Sequence, residues 1–530
     1  MKLVVVLSGS VGSGKSTVGR AVLGAVSGLR ISTREVIVRL KDVESKREPL
    51  QRAGDELDRA TGFSWVADEV ARVAGGGADG VVVVDAVRRP EQVEILRKRF
   101  PGLVRHVHLV ASSEELERRH AGRPREVVEP DSYAAVQENE TERQVGSLAA
   151  RADVVLDAAR LDPRSMAAAV LAGTGLKPSE SRERLVDVLV GGQYGSEGKG
   201  NICSKLAPEY RVLVRVGGPN AGHVVYDPYY KFAQLPSGTR HNEEASLVLG
   251  PGTTISLEVL LREIAELGID GERLSIDPQA IIIDDEDKRW EAGSLEVIGS
   301  TKQGVGAATA RKILGRGKRN WGPPVRLARD VEGLAKFVRP TFVELEKAYA
   351  AGHRVLLEGT QGTDISLHHG MWPHVTSRET TASGCLADAG IAPARVREVI
   401  AVVRTYPIRV GGTSGYMGVE IDAEDIAARS GLPVEDIRRT ETGTISGKAR
   451  RIGRFDLGQV RRAAALNGAT MIALTFADYL GKENRDARTF DGLNDDARDF
   501  VDILEDVTGV PVGLISCGPG PANIIDRRQV

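Results

Sequence analysis

The stretch VDVLVGGQYGSEGKG, residues 186–200, decides how most of the chain folds. A short β-branched run leads into a glycine-rich loop, and the segment after the loop begins a helix. This order is typical of a parallel α/β sheet whose loop holds an anion, because backbone N–H groups and the helix N-terminus converge there. Lys199 adds the positive charge that would meet a phosphoryl group. The loop departs from the G-x-x-x-x-G-K-[ST] pattern, since Gly200 stands where serine or threonine belongs.

A second unit of the same kind opens the chain. Leu3–Leu7 predicts a strand, GSVGSGKS (9–16) fits G-x-x-x-x-G-K-[ST] at every fixed position, and an amphipathic helix is expected from Lys15. Lys15 would lie near the β- and γ-phosphates of a nucleotide, and Ser16 would bind Mg²⁺. The expected phosphate-binding residues are Gly9, Gly14, Lys15, Ser16 and Thr17.

The rest of the first unit alternates strands and helices. Strands are predicted at Val81–Val84, Arg105–Val110 and Val154–Leu156, with a helix over Ser113–His120, which indicates a parallel sheet with right-handed crossovers. Asp85 ends one strand and is either a Walker-B-type or substrate-side carboxylate or an ordinary loop residue. An arginine cluster is either a phosphate lid or a solvated helix end; its members are Arg118, Arg119, Arg123 and Arg125.

The boundary between the units is predicted at AGTGLKPSESRER (172–184), which has no apolar period and is rich in glycine, serine, proline and charge. We expect a P-loop domain over residues 1–175, a linker over 176–184 and a second domain over 185–530. The fold class is therefore α/β, with two P-loop-type parallel-sheet domains. The first resembles nucleoside-monophosphate kinases in its length, Walker motif and arginine cluster.

Composition limits the classes of function. The chain has 530 residues, 41% hydrophobic and 27% charged, and a net charge of −2, which gives no basic field for nucleic acid. Its three cysteines lie far apart and in no metal-ligand spacing, as expected for a reducing cytoplasm, the host's if the chain is phage-encoded. We find neither a signal peptide nor an apolar run of about 18 residues, so we expect no membrane partner.

From Leu185 almost to Val530 the chain resembles adenylosuccinate synthetases. The glycine loop resembles their G-x-Q-W-G-D-E-G-K-G signature, and further motifs follow in the family's order. They are GGPNAGHVV (217–225), LPSGT (235–239), IGSTKQGVG (298–306), EGTQGTDISLHHGMWPHVTS (358–377), TYPIRVGG (405–412), TISGKARRIGRFD (444–456), NGATMIALTFAD (467–478) and GVPVGLISCGPG (509–520). The segment lengths resemble the short archaeal form.

The resemblance implies a two-step ligase that uses Mg²⁺ and ATP or GTP. A nucleoside triphosphate phosphorylates O6 of a 6-oxopurine nucleotide, and the amino group of L-aspartate then displaces phosphate. The charge that develops on O6 needs preorganised donors and a metal ion. The resemblance also implies a homodimer in which an arginine reaches the neighbouring site, and Arg311 and Arg316 are the candidates.

The resemblance assigns roles residue by residue. Catalytic roles fall to Ser196, Lys199 and His223, with His223 as the acid, and Mg²⁺ would touch Ser196 and Gly222. The donor nucleotide would contact Gly195, Glu197, Gly198, Gly200, Asp478, Ser516, Gly518 and Pro519. The acceptor nucleotide would contact Asn220, Thr301, Gln361 and Thr376, and the carboxylates of aspartate would contact Ser446, Lys448 and Arg450.

The chain departs from the family's pattern at Ser196, where the usual residue is an aspartate that takes the N1 proton of the purine. A serine hydroxyl cannot act as a general base near neutral pH. A phage branch of the family carries serine there, accepts dGMP and makes N6-succino-2-amino-2′-deoxyadenylate, and we rank this acceptor first. The alternatives are IMP, as in purine biosynthesis, and an inactive nucleotide-binding module.

Two more departures concern binding. Lys448 replaces an arginine, a swap that is not conservative at a bidentate carboxylate site. Phe476 stands near the donor base where the family has a lysine. Asp478 favours a guanine donor because it can accept from N1–H and the 2-amino group, whereas Phe476 leaves ATP open.

Overall fold

The computed structural model describes residues 1–44, 47–75, 80–121, 145–176, 183–317, 322–443, 447 and 449–528. The chain divides into two compact units, Met1–Glu180 and Ser181–Val530. Each unit has its own sheet, and each cluster of buried apolar side chains belongs to one unit only. Among the described residues no helix is long and apolar enough to cross a membrane.

The first unit is built on a five-stranded parallel sheet. Its strands are β1 (Leu3–Gly9), β2 (Gly28–Ser32), β3 (Val81–Asp85), β4 (Val104–Val110) and β5 (Val154–Asp157), in the spatial order β2-β3-β1-β4-β5. Strand β1 is buried along its whole length, because helices cover both faces of the sheet. The predicted strands are confirmed. The edge strand β2 was not predicted, since its first residues are partly exposed and give little apolar signal.

The helices of the first unit lie on both faces of this sheet and match the alternation expected from the sequence. They are α1 (Lys15–Ala25), α2 (Thr33–Lys41), α3 (Arg47–Thr61), α4 (Trp65–Gly75), α5 (Pro90–Arg99), α6 (Ser113–Ala121) and α7 (Pro163–Leu171).

The second unit contains a nine-stranded sheet and three small ones. The strands are β6 (Val186–Gly191), β7 (Val212–Arg215), β8 (His223–Val225), β9 (Tyr230–Phe232), β10 (Ser246–Leu249), β11 (Thr254–Ile255), β12 (Leu274–Ile276), β13 (Ile281–Ile282), β14 (Val355–Glu358), β15 (Val396–Arg404), β16 (Ile408–Arg409), β17 (Glu420–Ile421), β18 (Arg451–Gly453), β19 (Met471–Thr475), β20 (Val512–Ser516) and β21 (Ile524–Asp526). The large sheet has the order β12-β10-β7-β14-β6-β15-β19-β20-β21, and only β21 runs antiparallel to its neighbour.

Ten helices are described in the second unit. They are α8 (Lys199–Leu206), α9 (Leu257–Glu266), α10 (Asp285–Ser294), α11 (Val305–Leu314), α12 (Thr341–Ala350), α13 (Ala382–Ala389), α14 (Ala423–Ser430), α15 (Val434–Thr440), α16 (Leu457–Asn467) and α17 (Asp495–Thr508). The two predicted parallel-sheet units are thus both present.

The topology of the large sheet gathers the predicted motifs at one edge. The chain leaves β6 toward β7 on one side, whereas it leaves β15 toward β19 on the other, so the direction of the connections reverses between β6 and β15. Ligands of parallel α/β sheets bind at the carboxyl ends of strands at such a point. The glycine loop 191–200 follows β6 there, and the loops after β7, β14, β19 and β20 end at the same edge.

Candidate functional site

A buried ion pair holds the glycine loop in shape. The carboxylate of Glu197 accepts hydrogen bonds from the backbone N–H of Gln193 at 3.1 Å and of Gly195 at 2.8 Å. Its other oxygen accepts from Nζ of Lys199 at 2.6 Å, and both side chains are buried. Glu197 was expected to contact the donor nucleotide, but its carboxylate is turned into the loop because the backbone and Lys199 need an acceptor there.

The loop backbone turns through left-handed conformations before α8 begins. Gly195, Ser196 and Gly198 have φ values of 95°, 57° and 86°, and Gly198 is the N-cap of α8. The helix N-terminus therefore points its free N–H groups into the loop, as an anion site requires. Ser196 is the exposed side chain of this loop, whereas the neighbouring Gly195 and Glu197 are buried.

Gly200 brings His223 against the loop. A Cβ at position 200 would lie 3.0 Å from Cβ of His223 and 2.9 Å from the carbonyl oxygen of Val224, so only glycine allows this approach. The same position departs from the Walker pattern, and the structure gives the reason: strand β8 occupies the space that a serine or threonine side chain would need.

His223 is held by a buried polar network. Its Nδ1 hydrogen-bonds to Glu358. Glu358 also accepts two hydrogen bonds from Ser237, one from Oγ and one, at 2.7 Å, from the backbone N–H of that serine. Burial, and then the positive charge of Arg215, lower the pKa of His223 to about 4. Burial alone would raise the pKa of Glu358, but Arg215 and the bonds from His223 and Ser237 lower it to about 2. His223 is therefore a neutral imidazole at pH 7 and donates from Nδ1 to an ionised Glu358.

Two of the residues predicted to contact the acceptor nucleotide carry buried polar atoms without a partner. Oδ1 of Asn220, Nε2 of Gln361 and Oδ1 of Asn201 are buried and have no hydrogen-bond partner. Such atoms are rare in folded proteins unless a ligand or water satisfies them. The backbone of Gln361 packs directly on the loop, because its carbonyl oxygen lies 2.5 Å from where a Cβ of Gly191 would be.

Two other predicted acceptor residues, Thr301 and Thr376, lie in segments that contact each other. Thr376 is half-buried, and the next residue, Ser377, packs against Gly306 in the first turn of α11. Thr301 is half-buried just before this helix, and its carbonyl accepts from Gln303. Arg378 donates to Oγ1 of Thr360 at 3.0 Å and so ties this segment to the chain beside Gln361.

On the donor side, Asp478 is already paired. Its Oδ2 accepts from Nε of Arg485 at 3.0 Å, and the carboxylate is buried. Burial raises the pKa of Asp478 and Arg485 opposes this effect. Asn523 donates to the carbonyl of Arg485 at 3.3 Å and packs against Gly518. The predicted Gly518 therefore lies near Asp478.

Ser516 and Pro519 complete the predicted donor residues. Oγ of Ser516 donates to the carbonyl of Gly518 at 3.1 Å and accepts from Nδ2 of Asn201, in the helix after the glycine loop, at 3.4 Å. Pro519 is exposed. The structure thus links the 516–519 loop to the glycine loop through one side chain.

The predicted aspartate loop is described only in part. Ser446 and Lys448 lie outside the described residues. Arg450 forms an ion pair with Glu441 at 3.6 Å, and Glu441 also pairs with the buried Arg404. Nη1 of Arg404 donates to the carbonyl of Ser196 at 3.3 Å, so a chain of charged groups connects Arg450 with the glycine loop.

The two expected metal contacts, Ser196 and Gly222, offer a hydroxyl and a carbonyl oxygen. In the part of the chain that the structure describes, no group of three or more His, Cys, Asp or Glu side chains forms a metal site. A Mg²⁺ ion that arrives on nucleotide phosphates needs only one or two protein oxygens, and these residues fit such an ion.

Sequence reasoning misplaced one arginine and missed several side chains. Arg311 is buried and bonded to Asp287 by two nitrogens, at 3.0 and 2.7 Å, so it cannot reach a second subunit. Arg316, in contrast, is exposed. The missed side chains are Arg215, Glu358, Arg404, Glu441 and Arg485. Glu358 gave a signal, because it is a carboxylate at the end of a buried strand, as Asp85 is.

The first unit has a phosphate loop of the expected form. Nζ of Lys15 donates to the carbonyls of Gly9 and Ser10, each at 2.8 Å, and Gly14 is the N-cap of α1. Oγ of Ser16 donates to Asp85 at 2.8 Å, which favours the Walker-B-type interpretation of this carboxylate. Thr17 bonds back to Gly14 in the first turn.

The arginine cluster after β4 is described only at its start. Arg118 and Arg119 both pair with Glu115, and Arg119 also lies beside Gly14 of the phosphate loop. Arg123 and Arg125 lie outside the described residues. The described part is a helix face that borders the loop.

Known proteins resemble both units. A family model described as adenylosuccinate synthetase matches residues 188–321 and 325–485, and one described as an AAA domain matches residues 4–148. The adenylosuccinate synthetase of Methanocaldococcus jannaschii is 39% identical over 352 residues, which are 64% of this chain and 96% of the relative. The adenylosuccinate synthetase of Pyrococcus horikoshii is 38% identical over 352 residues, which are 64% of this chain and 98% of the relative.

Solved structures agree with these relatives. Cyanophage S-2L succinoaminodeoxyadenylate synthetase, bound to dGMP and to dATP as an energy donor, is 28% identical, with a TM-score of 0.54 over 65% of this chain and 96% of the other. The fully ligated adenylosuccinate synthetase of Plasmodium falciparum is 22% identical, with a TM-score of 0.56 over 65% and 100%, and shows the fold. The chain therefore belongs to the adenylosuccinate synthetase family of C–N bond-forming ligases and carries, in addition, a kinase-like P-loop unit at its N-terminus.

Proposed function

We propose that the second unit joins L-aspartate to C6 of dGMP and forms N6-succino-2-amino-2′-deoxyadenylate, with hydrolysis of a nucleoside triphosphate. The observation that carries this proposal is Ser196, an exposed, uncharged side chain in the phosphate loop. The cyanophage S-2L enzyme, 28% identical and solved with dGMP, supports the choice of acceptor.

The backbone at this position does not itself favour serine. Ser196 has a φ of 57°, a left-handed conformation that asparagine and aspartate adopt more readily than serine. The side chain therefore matters for what it presents to the ligand. Serine removes a negative charge beside the purine N1 edge and leaves room for the neighbouring 2-amino group of guanine. That amino group also donates electron density into the ring, which makes O6 more nucleophilic and lessens the need for a base at position 196.

The reaction activates a poor leaving group. O6 forms a bond to the γ-phosphorus of the donor, the bond from that phosphorus to the bridging oxygen breaks, and the N1 proton passes to water. The amino group of aspartate then forms a bond to C6, the bond from C6 to the phosphorylated oxygen breaks, phosphate leaves, and the amine gives up a proton to water. Lys199, whose Nζ donates to Glu197 at 2.6 Å in the free protein, would turn to the transferred phosphoryl group. Ser196 and Gly222 would hold Mg²⁺, which would neutralise the negative charge of the phosphates.

His223 is positioned to serve as the acid once the phosphoryl group is present. In the free protein it is neutral, because its pKa is lowered to about 4 by burial and Arg215. A bound phosphoryl dianion favours the imidazolium form, because opposite charges raise the pKa of a histidine. Nε2–H then donates toward O6 while Glu358 holds Nδ1.

The remaining contacts are inferred from the resemblance, and two of them are supported by buried polar atoms. Asn220 and Gln361 have buried polar atoms that lack partners, and the acceptor nucleotide would satisfy them. Thr301 and Thr376 would contact the same nucleotide. The aspartate carboxylates would be held by Ser446, Lys448 and Arg450, through charge-assisted bonds from the two cationic side chains.

We infer that the donor is ATP. Guanine would need both oxygens of Asp478 for its N1–H and 2-amino group, and Arg485 already donates to one of them, Oδ2, at 3.0 Å, so a guanine base would compete with this arginine. Phe476 stands at the same edge with its ring stacked on Arg404, whose Cζ lies 3.9 Å from the ring centre. An adenine base lacks the N1–H and 2-amino donors of guanine and therefore does not need Asp478 as a hydrogen-bond acceptor.

We also infer that two copies of the chain form a dimer and that the first unit transfers phosphate. Exposed apolar side chains lie on α10 and α11, and Arg316 follows the end of α11; these side chains are Trp290, Ile313 and Leu314. A second copy would cover them and receive Arg316. In the first unit, Lys15 and the Ser16–Asp85 pair have the arrangement that nucleotide kinases use.

Acceptor choice tests the role of position 196. With ATP, Mg²⁺ and L-aspartate, we expect phosphate release with dGMP to exceed that with IMP. Ser196→Asp should shift kcat/KM toward IMP by about 10-fold or more, because the carboxylate restores a base at N1. Ser196→Asn is the matched control, since it has the shape of aspartate without the charge: it cannot act as a base and should gain no activity with IMP. A clear preference of the unaltered enzyme for IMP would exclude the proposal, and turnover of neither would favour an inactive binding module.

Donor choice tests the role of Arg485. The unaltered enzyme should use ATP in preference to GTP, and Arg485→Gln should improve kcat/KM for GTP by about 10-fold, because it frees Asp478 to bind guanine. Arg488→Gln is the control, since this nearby exposed arginine donates only to backbone carbonyls among the described residues. If Arg485→Gln leaves the ATP/GTP ratio unchanged, Asp478 does not read the donor base.

The protonation of His223 can be read by nitrogen NMR of the free protein, with His223→Asn to assign the signal. We expect a neutral ring with the proton on Nδ1 at pH 7, and a titration midpoint near pH 4. Because this pKa lies below that of an unfolded histidine, ~6.5, the network loses stability as pH falls through this interval. Adding dGMP and a non-hydrolysable ATP analogue should raise the midpoint. A midpoint above pH 6 in the free protein would contradict the network described here.

A further inference from the structure

Two buried charged side chains, Arg404 and Glu441, connect the glycine loop with the segment predicted to bind aspartate. We propose that they are positioning residues of the ligase reaction: Glu441 holds Arg450 in place to bind a carboxylate of L-aspartate, and Arg404 fixes Glu441 relative to the loop that faces the acceptor purine. This inference rests on the proposed ligase function. It adds two residues that act through other side chains and not by touching a substrate.

Arg404 is fixed to the glycine loop by its backbone and by its side chain. It is the last residue of β15, and its backbone N–H donates to Oε1 of Gln193 at 2.9 Å. Nε2 of Gln193 in turn donates to the carbonyl of Arg404 at 3.1 Å. From this backbone, Nη1 donates to the carbonyl of Ser196 at 3.3 Å. The guanidinium therefore has a defined position relative to the loop.

The other end of the same guanidinium fixes Glu441. Nη2 of Arg404 donates to Oε1 of Glu441, which also accepts from the hydroxyl of Tyr479 at 3.0 Å. Both charged side chains are buried. Burial, and then the charge of Glu441, raise the pKa of Tyr479, so the phenol keeps its proton and donates. Two donors on one oxygen set the orientation of the carboxylate.

The second oxygen of Glu441 lies near Arg450. This Oε2 is buried and has no hydrogen-bond partner among the described residues, and Nη1 of Arg450 lies 3.6 Å from it. Nη1 also donates to the carbonyl of Thr440 at 3.2 Å. Burial lowers the pKa of Arg450, and Glu441 opposes this effect. Because these contacts engage Nη1, the planar fork can bind a carboxylate with its other N–H groups.

The charges of the cluster favour an anion as its ligand. Arg404 and Arg450 carry two positive charges and Glu441 carries one negative charge, so one positive charge is left over. The neighbouring Asp478 does not neutralise it, because that carboxylate pairs with Arg485. An unmatched buried charge is costly, and a carboxylate of aspartate would compensate it. Arg404 is already bonded at both ends of its guanidinium, so Arg450 is the arginine that would receive the carboxylate.

The first test measures ligase turnover of the full chain with ATP, Mg²⁺, dGMP and varied L-aspartate. Glu441→Gln should raise KM for aspartate by about 10-fold and leave KM for dGMP unchanged, because glutamine keeps the hydrogen bonds to Oε1 but loses the charge that holds Arg450. Glu441→Asp keeps the charge and should recover part of the loss. Glu424→Gln is the matched control, since this exposed carboxylate of α14 pairs with Arg438 of α15, and it should change neither KM.

The second test asks whether the two residues act together. Arg404→Lys keeps the charge, but one ammonium group cannot replace the fork that bonds to Ser196 and to Glu441, so KM for both substrates should rise by about 10-fold. In the double variant Arg404→Lys/Glu441→Gln, KM for aspartate should rise no further than in the more affected single variant, because both substitutions break one connection.

Calorimetric binding of dGMP shows that each Glu441 variant has folded. An unchanged KM for aspartate in folded Glu441→Gln would overturn the inference and leave the ligase, and so would an equal rise of KM for both substrates in that variant. Effects that multiply in the double variant would show that Arg404 does not act through Glu441 and would also overturn it. Absence of ligase turnover in the unaltered chain would contradict the proposed function itself.

Discussion

The ion pair of Lys199 with Glu197 is the constraint on which the ligase site depends. A buried pair is costly unless hydrogen bonds satisfy its remaining atoms, and Glu197 accepts two backbone N–H groups as well as the ammonium. The loop is therefore formed before any nucleotide binds, and the ammonium group of Lys199 lies inside the loop, bonded to Glu197. Lys15 of the first unit donates instead to two backbone carbonyls. Each phosphate loop therefore fixes its lysine with hydrogen bonds, but the acceptors differ.

Because of this ion pair, different residues determine the shape of the loop and its charge. The side chain of Glu197 bonds to the loop backbone and fixes its shape. The side chain at position 196 is exposed, so a substitution there can change the charge of the site without changing the loop. The carbonyl of Ser196 is fixed by Arg404, which also pairs with Glu441 next to the aspartate segment. One buried arginine, Arg404, thus contacts the glycine loop, the ring of Phe476 and Glu441 beside the predicted aspartate segment. The exposed side chain of Ser196 takes no part in these contacts, since Arg404 bonds to its carbonyl.

The sequence predicted those parts of the protein whose structure depends on residues close together in the chain. The glycine spacing predicted both phosphate loops, since strand, turn and helix each have a clear signature. The partners that tune the site come from distant strands and loops and could not be predicted: Glu358 lies far along the chain from His223, and no pattern indicates that Arg485 pairs with Asp478. Arg311 was considered as the arginine that reaches a neighbouring subunit, because its pairing with Asp287 depends on packing between two helices and is not evident from the sequence. Strand β2 was missed because an edge strand lacks a continuous apolar run.

The central claim is that O6 of the purine is itself phosphorylated in a loop that has no carboxylate at position 196. The most direct measurement uses dGMP labelled with heavy oxygen at O6, together with ATP, Mg²⁺ and L-aspartate, and determines the label in the released phosphate by mass spectrometry. If O6 is activated as described, every phosphate released with product formation carries the label. Unlabelled phosphate formed in step with the succinyl product would show that C6 is activated by another route, and the account would be wrong.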